Sequence, residues 1–74
     1  MSQLTESILE FTVFCVENVA ERLGIDGSEI YKRLTQDSDI LDNYIIPSYD
    51  SLHTQDKEYI VNDIIDCMHE RNIA

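Results

Sequence analysis

Seventy-four residues make one domain at most, and a chain this short buries only about 60% of the surface it exposes when unfolded. Its apolar content of 43% argues against wholesale disorder. Its net charge of −10, fifteen acids against five bases, disfavours nucleic acid and anionic membrane; it reads first as a solvated acidic surface and second as a match for a basic partner surface.

The charge is unevenly spread. Residues 1–21 carry four acids and no base, and residues 34–56 carry five acids and no base. Between them Arg22, Lys32 and Arg33 face Asp26 and Glu29, a local net of +1. With no basic leader, no apolar run near 18 residues and no C-x-x-C pair, the expectation is a cytoplasmic chain without a membrane segment, redox motif or zinc motif. Cys15 and Cys67 both fall on apolar helix faces, as free buried thiols do; a disulfide between them is possible but not implied.

The first helical pattern runs from about Gln3 to Leu23. At about 100° per residue, Ile8, Leu9, Val13, Cys15, Val16, Val19, Ala20 and Leu23 share a broad arc. Glu6, Glu10, Glu17 and Glu21 share a narrow stripe opposite. Thr5 or Ser2 is placed to cap the start, and Gly24 to end the helix in the left-handed conformation. So wide an arc predicts the central helix of the fold. Phe14 does not fit this arc and lies beside the glutamates, with Phe11 at the arc's margin. Phe14 reads either as covered by a later loop or as an aromatic anchor for a partner or a second copy of the chain.

Asp26 with Glu29 three residues later has capping-box character and predicts a short second helix to about Thr35, with Ile30, Tyr31 and Leu34 on its apolar side. Ser38 or Asp37 caps a third, from Asp39 to about Ile45, which Pro47 ends because the residue before a proline is pushed out of helical conformation. Ser48 to His53 is a short helix or turn. The last pattern begins after Thr54 as N-cap. Ile60, Val61, Ile64, Ile65, Cys67 and Met68 line its inner arc; Glu58, Asp63, Asp66 and Glu70 line its wet side, and Arg71 suits the C-terminal dipole. No strand pattern is present. The expected fold is all-α, a small bundle of about four helices with the first and last the longest.

Chemistry-bearing patterns are sparse. Val19, Ala20, Leu23, Gly24, Ile25 and Ile30 have the spacing of a helix-turn-helix, with Lys32 and Arg33 on its second helix; five bases against fifteen acids weigh against phosphate contacts. His53 and His69 lie sixteen apart and form no i,i+4 metal pair, even with Asp50 or Asp66 nearby. Asp37, Asp39 and Asp42 lack the glycine and closing glutamate of a calcium loop. Neither cysteine has a basic neighbour, and two glycines make no phosphate cradle. These patterns imply no enzyme, no cofactor and no metal. Tyr44, Tyr49 and Tyr59 can pack around Pro47 as core or as contact surface.

Two stretches, Ile8 to Leu34 and Ser38 to Ile64, resemble a family of short bacterial proteins, the domain of unknown function 3791. The runs Tyr49-Asp50-x-Leu52-His53-Thr54-Gln55 and Tyr59-Ile60-Val61-x-Asp63-Ile64 carry most of the likeness. That family has no assigned activity; the resemblance implies an antitoxin-like or accessory role beside a larger protein.

Together these readings lead to a protein-interaction module, binding an unknown protein partner or forming a homodimer, with Phe11, Phe14, Tyr44, Tyr49 and His53 as contact residues. The alternative is a helix-turn-helix regulator that meets DNA through Arg22, Lys32 and Arg33.

Overall fold

The computed structural model describes residues 6–73. Within them the chain forms α1 (Glu6–Leu23), α2 (Gly27–Thr35), a single π-helical turn (Leu41–Ile45), the one-turn α3 (Tyr49–Leu52) and α4 (Lys57–Glu70). No strand occurs among the described residues. The expected all-α fold with long first and last helices is therefore the observed one, packed into 30 × 26 × 20 Å. Helix α1 is central: it packs against both α2 and α4, while α2 also meets the π-helical turn.

Each junction has a local cause. Gly24 takes φ +68° after α1. Its N–H donates to the Glu21 carbonyl at 3.3 Å and that of Ile25 to the Ala20 carbonyl at 3.0 Å, the paired bonds of a Schellman motif. The same motif ends α4, with Asn72 at φ 59°; Asn72 N–H donates to His69 and Ile73 N–H to Met68. Asp26 caps α2 by accepting from the Ser28 N–H at 3.3 Å and from its hydroxyl. The reciprocal half of the expected capping box is replaced by an ion pair: Glu29 accepts from Arg33 at 3.1 Å, one turn on. Ser38 links α2 to the next segment, its hydroxyl donating to the Arg33 carbonyl at 2.8 Å and accepting from the Ile40 N–H at 3.3 Å.

Two boundaries differ from expectation. The Asp39–Ile45 segment widens into a π-turn, closed by the Ile46 N–H donating to the Leu41 carbonyl at 3.0 Å. Ile40, Leu41 and Ile45 all face inward there, and Pro47 has no N–H with which to continue a ladder. Helix α4 starts two residues later than Thr54 implies. Asp56, extended at ψ 168°, accepts from the Tyr59 N–H at 2.8 Å, whereas the Thr54 hydroxyl donates back to Ser51. The positions expected to cap α1, Ser2 and Thr5, lie outside the described residues.

The core is one cluster: Cys15, Val19 and Ala20 from α1; Ile30 and Leu34 from α2; Ile40, Leu41, Ile45 and Leu52 from the middle; and Ile60, Val61, Ile64, Ile65 and Met68 from α4. The inner face of α4 is the expected one, except that Cys67 is half-buried. The α1 arc is narrower than hydrophobicity suggested. Leu9 and Val13 are 53% and 47% exposed, whereas Ala20, at a similar angle farther along the helix, is buried, so the cover over this side reaches only the C-terminal half of α1. Thr12 takes an inward place instead; its hydroxyl donates to the Ile8 carbonyl at 2.9 Å, so no donor is stranded. Asp63, expected on the wet side, is half-buried and accepts the Tyr44 hydroxyl.

Candidate docking groove

The i,i+3 spacing of Phe11 and Phe14 puts both rings on one flank of α1, with centroids 6.1 Å apart and planes 18° from parallel. The i,i+4 spacing of Tyr49 and His53 does the same on the short third helix, where the rings stack at 4.3 Å and 9°. Tertiary packing joins the two pairs: Tyr49 meets Phe11 edge to face at 5.4 Å and 73°. The result is a continuous row, Phe14–Phe11–Tyr49–His53, that crosses from α1 to α3. Edge-to-face and offset contacts of this kind suit the ring quadrupoles and contribute about 0.5–1.5 kcal/mol each beyond burial.

Local structure holds the row in place. Leu52 is buried and anchors α3. The His53 ring lies near the backbone, with Nδ1 2.6 Å from the Tyr49 carbonyl oxygen. Asn18 donates to the Phe14 carbonyl at 2.8 Å. Phe11, Phe14 and Tyr49 remain half-buried and His53 is exposed. The row forms one wall of an open groove of about 370 Å³, lined also by Ser7, Glu10, Gln55 and the buried Ile60. Phe14 packs in part against the core and also lines the groove.

Tyr44 is not brought to this site. Its hydroxyl donates to Asp63 on α4, and that bond, with partial burial, holds the phenol above its ordinary range. Tyr59 is 53% exposed and Pro47 is exposed. The three tyrosines therefore do not gather around the proline: Tyr44 turns to α4 and Tyr49 to α1. Cys15 is fully buried, and burial pushes its thiol up to about 12. Cys67 is raised as well, by burial first. Neither thiol offers an available thiolate.

The bases that a DNA reading requires are all engaged within the chain. Arg22 donates to Glu58 at 2.9 Å and to Asn62 at 2.6 Å, tying α1 to α4. Lys32 pairs with Asp37 at 3.4 Å. Arg33 pairs with Glu29 and donates to the Ile73 carbonyl at 3.2 Å. Arg71, expected to serve the α4 dipole, reaches Asp39 and, with Asn43, holds that carboxyl below its usual range. Among the described residues no helix is long and apolar enough to cross a membrane.

What sequence reasoning missed is the meeting of Phe11 with Tyr49, 38 positions apart; the only local hints were the i,i+3 and i,i+4 spacings within each pair. No curated protein and no solved structure matches the chain. The model of one protein family of unknown function, DUF3791, matches residues 10–71, a span that holds the whole aromatic row, and the chain belongs to that family.

Proposed function

We propose that the chain is a non-enzymatic protein-docking module that receives a partner in the groove between α1 and α3, in an antitoxin-like or accessory role beside a larger protein. The observation that carries this reading is the aromatic row. Two phenylalanines, a tyrosine and a histidine are held by packing and backbone bonds with one side toward solvent, which lowers the ordering cost of using them as anchors. The buried, protonated Cys15 and the backbone contact of His53 support the non-enzymatic part. Two free thiols, one of them wholly buried, suit a reducing cytoplasm. DNA binding through Arg22, Lys32 and Arg33 is the weaker reading, because each of the three is already paired with an acid.

Affinity capture from the native host, followed by mass spectrometry, tests the proposal. A protein retained by the wild-type chain should be lost with Phe14→Asp and with His53→Ala, and kept with Tyr31→Ser, whose side chain is exposed on α2. If the chain is monomeric by mass and Phe14→Asp changes neither assembly nor the captured proteins, the groove is not the docking site.

A further inference from the structure

Resting on the docking reading above, we infer that the groove's occupant is a basic amphipathic helix of another protein, apolar toward the aromatic row and carrying Lys or Arg along its α1 side. The first support is uncompensated charge. Glu6, Glu10 and Glu17 are exposed and follow one line on α1, the first two one turn apart and the third seven residues on. Among the described residues the four ion pairs engage Glu58, Asp37, Glu29 and Asp39, and none takes a glutamate of α1. Arg22, Lys32, Arg33 and Arg71 are thereby occupied; Lys57, the remaining base, shares a separate hollow with Glu21 at the far end of the stripe.

The second support is adjacency. Around α1 the glutamate line comes first, then Phe14 about 60° on, then Phe11, and then the rings of α3. Glu10 lines the groove itself. One ligand face can therefore rest on rings while its edge meets carboxylates. The mode follows from the fold. Among the described residues there is no strand whose edge could accept an extended peptide, whereas a helix beside α1 repeats the four- and seven-residue spacing of the glutamates. A second copy of this chain is a poor occupant, because it brings a net −10 against a net −10.

The test is selection from a displayed library of helices as long as α1, with a fixed leucine and phenylalanine face and flanking positions drawn from Lys, Gln and Glu. Selection on the full wild-type chain at low salt should enrich Lys on one flank. The enriched peptides should bind about tenfold more weakly to the chain carrying Glu10→Gln with Glu17→Gln, and the gap should close as salt is raised. Both substitutions are on exposed positions, so the fold is retained and circular dichroism checks it. Flanks enriched in Gln or Glu, or binding unchanged by the two substitutions, overturn the inference. In that case loss of binding with His53→Ala still upholds the groove; binding indifferent to His53→Ala and to Phe14→Ser removes the groove as well. An empty selection with a dimer in sedimentation makes a second copy the occupant and also overturns the inference.

Discussion

Cys15 gives the fold a sensitivity to alkali that can be calculated. Its side chain is 0% exposed between α1 and its neighbours, and burial raises the thiol from 9.0 to about 12. In the unfolded chain the same thiol ionises near 9.0. Between those two values the unfolded state releases a proton that the folded state keeps. The unfolded state then binds fewer protons, so stability falls as pH rises. The contribution is intact below pH 9 and is lost through the window from 9 to about 12. From pH 8 to pH 10 the loss is about 1.4 kcal/mol, one unit of pKa mismatch being about 1.36 kcal/mol. Urea titrations at pH 8 and pH 10 measure it, with Cys15→Ala as the reference. The variant should be less stable at pH 8, because a small cavity replaces the sulfur, yet fall less than wild type on going to pH 10. Other alkaline titrations, Cys67 and Tyr44 included, are shared by both proteins and drop out of the difference. Equal losses in the two proteins would refute the claim that Cys15 stays buried and protonated.

Gly24→Ala should cost about 1–2 kcal/mol by denaturant titration, wholly from the left-handed backbone, because a Cβ there meets nothing within 4 Å. Asn72→Ala should cost about 1 kcal/mol for the same reason at the end of α4. Asp56→Ala should lower stability by about 1 kcal/mol, and Tm by about 4–8 °C in calorimetry, whereas Thr54→Ala should do much less; the reverse order would move the start of α4. Tyr44→Phe should cost about 1 kcal/mol in the same titration while leaving partner capture unchanged, since its hydroxyl serves Asp63 and not the groove.

Much of the fold was legible because it is local. Gly24 ends α1 because a residue without Cβ is at ease at positive φ, a property of the residue and not of its surroundings. Ile60, Val61, Ile64, Ile65 and Met68 face inward because helical periodicity aligns them. Where two local options competed, neighbours chose. Asp56 displaced Thr54 as the cap of α4, since a carboxylate there accepts the Tyr59 N–H and also meets the positive end of the dipole. Glu29 pairs with Arg33 instead of closing the capping box, and Arg71, at the C-cap of α4, pairs with Asp39. The candidate site was legible as five residues and not as a site. Four of them converge; Tyr44, only five positions before Tyr49, turns to α4 because Asp63 waits there.

The order of residues alone determined an all-helical chain, its inner faces, the left-handed stop after α1 and an acidic flank without bases, since each depends on spacing of a few residues along one helix. Only the tertiary structure decided that Phe11 meets Tyr49, that Leu9 and Val13 stay outside, and that four of the five bases are taken up internally. Those outcomes depend on how separate helices cross, and helix crossing is set by the packing of the whole core, which no short run of residues encodes.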